Sequence, residues 1–98
     1  SIGIGRLTNQ SGGNEQIAIG NFARPNAEKG IAIGASTAVN ATGGVALGRD
    51  VVNAKADTVS VKELEVQVVG GGITLYSPDG TEYKLTIANG GTINIISA

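Results

Sequence analysis

A four-residue phrase that returns at a fixed interval constrains this chain more than any other feature. Residues 17–20 read Ile-Ala-Ile-Gly, residues 31–34 read the same, and residues 45–48 read Val-Ala-Leu-Gly, each copy 14 residues after the last. Looser copies flank the set at 2–5 and at 59–62. A fixed short period is typical of a repeat architecture, in which one structural unit is laid down several times.

Each repeat predicts two short strands joined by two turns. The phrase itself is the first strand, and a second apolar segment follows it in every repeat, at 23–25, 37–39 and 51–53. The spacing and the many glycines exclude an amphipathic helix, which needs a period of about 3.6 residues. Two strands per coil predict an all-β fold, a parallel β-roll or β-solenoid, in which stacking of the coils creates the core.

Within the first strand of each repeat, large and small apolar residues alternate, so they point to opposite sides. We expect one of the resulting ladders to fill the roll and the alanine ladder to face a partner subunit, because alanine permits close approach. The alternative is that the alanines face solvent. Glycines (Gly20, Gly34 and Gly48) end the strands at sharp corners. The large ladder comprises Ile17, Ile19, Ile31, Ile33, Val45 and Leu47, and the small ladder comprises Ala18, Ala32 and Ala46.

After Val61 the period ends and a different pattern begins. Polar and apolar residues alternate over 62–69, which predicts a strand, and three glycines then break it. A meander of three further strands is predicted beyond the break, separated by turn sequences such as Ser-Pro-Asp-Gly. The predicted meander strands are 73–76, 82–88 and 92–96. The chain is therefore divided into a β-roll over 1–61 and a small antiparallel β module over 62–98, which we expect to cap the stack.

Composition excludes several classes of function. The 98 residues include no cysteine and no histidine, so disulfides are excluded, zinc is disfavoured, and the usual catalytic triads cannot form. The net charge is −1 with scattered basic residues, which gives no nucleic-acid footprint. No apolar run reaches the length of a membrane span. We predict no enzyme activity, no cofactor, no metal, no nucleic-acid partner and no membrane insertion by this segment.

A chain this short needs help to be stable, and oligomerisation is the aid that remains once disulfides and metals are set aside. The sequence starts at Ser1 and has no initiator methionine. We therefore expect a fragment or a processed product of a longer chain.

Acidic residues give only weak signals of a site. Glu63 and Glu65 share one side of the predicted strand, as an acid–base or cation pair would, but a solvated strand face explains them better. Asp50, Asn53 and Asp57 lack the spacing and closing glutamate of a calcium loop, and a turn explains them better.

Three side chains are candidates for surface binding. Phe22 stands alone in a turn region, where it is either an exposed anchor or a residue buried between subunits. Arg24 and Arg49 would form a basic stripe if stacked coils repeated around a trimer, or they are simply solvated.

The phrases at 17–20, 31–34 and 45–48, with their 14-residue spacing, resemble the YadA-like head repeat of the trimeric autotransporter adhesins. The resemblance covers about residues 2–61. It implies a left-handed roll, an obligate homotrimer and a role in attachment to surfaces. The chain departs from the family where Glu15-Gln16 replaces the usual Asn-Ser, and no neck or heptad coiled coil follows Val61.

The tail over 73–87 resembles the short β modules that end bacteriophage fibre and head-decoration proteins, and YadA-like repeats also occur in phage fibres. The two resemblances together favour a non-enzymatic trimeric fibre domain on a virion surface that displays multivalent attachment sites to a glycan or protein. The alternative is the head of a bacterial adhesin, outside the cell, that binds matrix or cell-surface molecules. A monomeric solenoid and a polysaccharide-cleaving fibre are the remaining alternatives.

Overall fold

The chain is built from short strands that fall into two compact units. The computed structural model describes residues 1–6, 8 and 14–97, and over that part the protein is all-β with no helix. The units are Ser1–Glu63, which holds the repeats, and Leu64–Ala98, which holds the tail.

The first unit is a β-solenoid, as the repeat predicts. Its larger sheet is entirely parallel, and each strand is the apolar phrase of one repeat. Neighbouring strands align with Ile17 opposite Ile31 and Ile31 opposite Val45, which is the register that the 14-residue period requires. The strands, in order across the sheet, are β1 (Ile2–Ile4), β2 (Ile17–Ile19), β4 (Ile31–Ile33), β6 (Val45–Leu47) and β8 (Val59–Ser60).

The second sheet of the solenoid is formed by the short strands between the phrases. It too is parallel, with Pro25 opposite Val39 and Val39 opposite Asn53. Its strands are β3 (Arg24–Pro25), β5 (Ala38–Val39) and β7 (Val52–Asn53). The coils that begin with β2, β4 and β6 therefore each contribute one strand to each sheet, and the interior lies between the sheets.

Hydrogen bonds between coils continue through the turns as well as the strands. In the larger sheet the Ile31 amide donates to the Gly44 carbonyl at 3.0 Å. At one turn Ser36 donates to the Asn21 carbonyl at 2.8 Å, and at the other Gly43 donates to the Glu28 carbonyl at 3.0 Å. Since backbone groups in a stacked coil need partners, this ladder favours turns of one length in the 14-residue coils from β2 to β8.

The corner glycines are needed for two separate reasons. Gly20 and Gly34 have φ of 125° and 126°, a region that residues with a Cβ rarely adopt. They also lie directly over one another, so that a Cβ on Gly20 would come within 2.7 Å of the Gly34 carbonyl group. A Cβ on Gly34 would in turn overlap the Gly48 carbonyl oxygen.

The alanine ladder lies inside the coil and not against a partner. Ala18, Ala32 and Ala46 are fully buried within the single chain, so the expectation that this ladder faces a second subunit was wrong, as was the solvent-facing alternative. The interior between the two sheets is already occupied by larger side chains from the second sheet, among them Val39, which is also fully buried. Opposite a strand that supplies large residues, only a small residue fits at native packing density.

Polar side chains occupy the interior near the two ends of the stack. Asn53 is fully buried in the last coil, where its amide donates to the Ser60 hydroxyl at 2.8 Å and the Thr58 carbonyl at 3.2 Å. Gln16 is buried near the other end and donates to the Ala27 carbonyl at 3.0 Å. The two amide nitrogens thus have partners in the interior, as buried donors need, whereas Gln16 Oε1 accepts no hydrogen bond within the described part of the chain.

The tail unit contains one antiparallel sheet, which confirms the predicted meander. Its strands are β9 (Ile73–Tyr76), β10 (Glu82–Ile87) and β11 (Ile93–Ser97), with β10 in the middle. Paired residues point to the same side, so the register gathers all the odd-numbered apolar residues on one face. This tail apolar face consists of Ile73, Leu75, Tyr83, Leu85, Ile87, Ile93 and Ile95.

The strand predicted over 62–69 does not form. Among the described residues, 62–67 find no backbone hydrogen-bond partner, and a turn follows in which the Gly71 amide donates to the Val68 carbonyl at 2.8 Å. Alternation over this stretch predicted which residues share a side, but a strand also needs a neighbouring strand, and the chain supplies none there.

The corner glycines provide a test of the stacking argument. Gly48 shares the positive φ of Gly34, at 111°, but a Cβ on it would meet only the Val51 side chain at 3.5 Å. We expect Gly48→Ala to cost about 1–3 kcal/mol of unfolding free energy through backbone strain alone. Gly34→Ala should cost at least about 2 kcal/mol more, because its Cβ overlaps the next coil.

Urea unfolding of both variants at one chain concentration measures the difference. Equal losses for Gly34→Ala and Gly48→Ala would contradict the backbone-to-backbone stacking at the corner.

Candidate interaction surface

The large-residue ladder lies on the outside of the solenoid and forms one continuous apolar surface. Because Ala18 points inward, its neighbours Ile17 and Ile19 point outward, and the same holds in every coil. The register stacks these side chains into two parallel rows. We call this surface the aliphatic face; it consists of Ile2, Ile4, Ile17, Ile19, Ile31, Ile33, Val45, Leu47 and Val59.

Exposure along the aliphatic face follows position in the stack. The end residues Ile2 and Val59 are 54% and 60% exposed, whereas Ile17 and Ile31 in the middle are half-buried. Rungs lie roughly 4.8 Å apart, so each middle side chain is covered on its flanks by the rungs beside it. What stays exposed is the outward tip of every side chain.

The chemistry of this face limits what it can bind. Its nine members carry no polar or charged side-chain atom, so it offers no hydrogen bond, metal ligand or catalytic group. A sheet face of this composition is stabilised by packing against another apolar surface. Contiguous apolar patches of more than a few hundred Å² mark interaction sites on soluble proteins.

Sequence reasoning identified six of these residues but left the outer rungs out. Ile2, Ile4 and Val59 belong to the looser copies of the phrase, and their register with the central rungs is unbroken. The signal was present in the alternation of those copies. It was weaker in these copies because Lys62 stands where the others have glycine, and because Ile2 lies 15 and not 14 residues before Ile17.

The three predicted surface residues are all exposed, but they do not form one patch. Phe22 is 45% exposed at a turn position with φ of 62°. Arg24 lies on the outer side of β3, next to Ala38 in the neighbouring strand, so a basic stripe is not continued along that column. Arg49 lies in a later turn, 3.6 Å from Asp50. Such an exposed ion pair contributes little to stability.

The carboxylates do not assemble into a site. In the part of the chain that the structure describes, no group of three or more Asp and Glu residues lies close enough to hold a metal ion. Asn53, one of the residues weighed for a calcium loop, has its side chain inside the coil. Glu65 accepts a hydrogen bond from its neighbour Gln67 at 2.8 Å on an exposed surface. The described residues also include no helix long and apolar enough to cross a membrane.

One carboxyl group has a strongly shifted pKa. The Asp79 side chain accepts hydrogen bonds from the Ser77 hydroxyl at 2.5 Å and the Thr81 amide at 2.9 Å. The Ser77 hydroxyl is the larger cause and the Thr81 amide the next, and together they lower the pKa of Asp79 from 3.8 to about 2. These bonds tie the turn between β9 and β10, as Asp and Ser commonly do in turns.

Titration of this turn is a direct test. Because the pKa of Asp79 is lowered on folding, its contribution to stability is fully present above pH 3.8 and is lost as the pH falls through about 2. We expect the Asp79 carboxyl carbon to titrate near 2 by NMR. In Ser77→Ala the pKa should rise, because the larger of the two stabilising bonds is gone.

Lys84 offers a control on the same sheet. Lys84→Gln removes a charge from β10 but none of the hydrogen bonds that lower the pKa of Asp79, so this pKa should stay where it is in the parent chain. An unchanged pKa in Ser77→Ala would show that the hydroxyl does not hold the carboxylate.

Comparisons with protein-family models, with curated proteins and with solved structures give no match to this chain. The features of the chain that bear on its function are the repeat, the aliphatic face and the tail. The aliphatic face extends along the whole larger sheet of the solenoid.

Proposed function

We propose that this chain is a non-enzymatic fibre domain that acts as a homotrimer, with the aliphatic faces of three solenoids packed together along a common axis. The fibre belongs to a bacteriophage virion, as part of a head or tail fibre or a decoration protein on the virion surface. Its work is mechanical and multivalent: it holds attachment sites away from the particle and presents each of them three times.

The observation that carries this proposal is the unbroken aliphatic face. It runs in the stacking direction through all five strands of the larger sheet, which spans roughly 19 Å. A ligand site is usually concave and holds a few placed polar groups. A flat strip with none suits a long contact with an identical strip, as in the obligate interfaces that resemble a core cut in half.

Three copies, rather than two, are proposed because of the resemblance of the repeat to the heads of trimeric autotransporter adhesins. The left-handed sense of the coil comes from the same resemblance and is part of the proposal. In a trimer, Phe22, Arg24 and Arg49 would each be displayed three times on the outer surface. Weak sites repeated in this way gain avidity without strong individual contacts.

The second candidate is the head of a bacterial trimeric adhesin, outside the cell, that binds matrix or cell-surface molecules. The phrase and its 14-residue period favour it, whereas the tail, which resembles the β modules of phage fibres, favours the virion. Either way the partner is a glycan or a protein on a surface.

The oligomer is tested with two valines of one coil. Val45 lies on the aliphatic face, whereas Val52 lies on the outer side of the second sheet and is 57% exposed. Native mass spectrometry or light scattering of the parent chain should give a single mass equal to that of three chains. Val45→Asp should dissociate the trimer at dilute concentration, since three carboxylates would be buried in an apolar contact. Val52→Asp should leave the mass unchanged.

A parent chain with the mass of a monomer would overturn the proposal. Equal effects of Val45→Asp and Val52→Asp on the mass would show that the aliphatic face is not the trimer contact. Binding of the trimer to bacterial cells, compared with binding to immobilised matrix proteins, then separates the virion from the adhesin. Cleavage of a capsular polysaccharide by the chain would contradict the non-enzymatic assignment.

A further inference from the structure

The tail unit has no core of its own. None of the residues from 64 to 97 is buried, although the sheet they form has seven large apolar side chains on one face. The solenoid, by contrast, buries Ala18, Ala32, Ala46 and Val39 completely. A sheet with one apolar face requires a second layer against that face, and the tail unit provides only part of one.

That partial layer is the segment before the tail sheet. Leu64, Val66 and Val68 alternate with polar residues and line a hollow of about 410 Å³ together with Leu85 and Ile87 of the sheet. The three side chains stay largely exposed, and Val68 is 73% exposed. The hollow is apolar and open, so the segment does not close the core.

The uncovered area is large for a structure of this size. Ile87, Ile93 and Ile95 are each about 65% exposed, Ile73 and Leu75 are about half exposed, and Tyr83 and Leu85 are more covered. Seven such side chains leave on the order of 600 Å² uncovered, which is close to the ~800 Å² that each partner buries in a standard interface. Patches of this area are at the upper limit for a monomer.

We propose that the tail apolar face packs against the same face of other copies of this chain, so that the tails of one trimer share a single core. This inference rests on the homotrimer of the proposed function and extends it to the tail. Side chains from the neighbouring copies fill the hollow beneath Leu64 and Val66.

Identical copies fit this face for two reasons. It carries no charged residue, so bringing like against like produces no repulsion, whereas Glu82 and Lys84 lie on the opposite side of the sheet. In a trimer held by the solenoids, the three tails would also be at an effective concentration in the millimolar range, which favours contact among them over capture of a separate partner.

The small size of the tail unit also favours a core that is shared between copies. Units of fewer than about 40 residues usually need disulfides, metals or oligomerisation to fold. The chain has no cysteine and no histidine, which removes disulfides and the usual structural zinc sites. A core shared between copies is the remaining source of buried apolar area.

The test uses two isoleucines that are adjacent in β11. Ile95 lies on the tail apolar face opposite Leu85, and Ile96 lies on the other face opposite Lys84. In the trimer of the 98-residue chain we expect Ile95→Asp to speed hydrogen exchange of the β10 amides by at least tenfold. The matched substitution Ile96→Asp should change those rates by less than about threefold, because it is made on the face that stays in solvent.

A second measurement does not depend on whether a variant folds. Trimers are assembled from an equal mixture of methyl-labelled and unlabelled parent chains, and isotope-filtered NOEs are recorded. Contacts between the methyl groups of Ile87 or Ile95 and protons of a different chain are expected. Their absence in a sample of trimeric mass would overturn the shared core.

The outcomes separate this inference from the proposed function. A parent chain that is monomeric at all concentrations contradicts both. A trimer that loses its mass with Val45→Asp, yet shows no intermolecular NOE at Ile87 or Ile95, retains the fibre and contradicts only the shared tail core.

Discussion

Parallel hydrogen bonding between successive coils is the constraint on which the rest of the solenoid depends. Every rung lies roughly 4.8 Å from the next, so each residue of a strand is placed over its counterpart in the next coil, 15 residues away between β1 and β2 and 14 residues away in the later coils. The turns of the later coils are bonded too, as between Ser36 and Asn21, and this bonding goes with their constant length. The glycine corners, the turns with positive φ and the stacked side-chain rows all follow from this register.

Because of the same register, the two sheets contribute side chains of different size to the interior. One sheet supplies alanines to the core and the other supplies Pro25, Val39 and Asn53, so small residues always oppose larger ones. This arrangement keeps the coil thin and sends the large residues of the first sheet outward. The aliphatic face is thus a consequence of the narrow core, because the coil has no room for both ladders inside.

Much of the fold could be predicted from the sequence, and the errors have a common physical origin. The period and the alternation locate β2, β4 and β6 and predict the parallel stack, because both depend on local sequence. The side to which Ala32 points could not be predicted, since alternation assigns residues to two sides without saying which is inside. The prediction of a strand over 62–69 was wrong for a related reason. A strand exists only when it pairs with a neighbouring strand, and pairing is a property of the whole chain.

The two units differ in what they need from assembly, and this difference has a consequence for a fibre. The solenoid closes an interior around Val39 within one chain, whereas the tail buries none of its residues. Ordering the tail costs conformational entropy at each residue, and only buried apolar area can offset that cost. If neighbouring copies supply that area, the tail becomes ordered when the trimer forms. An unassembled chain would then expose a disordered tail, and only the complete fibre would have both of its apolar faces covered.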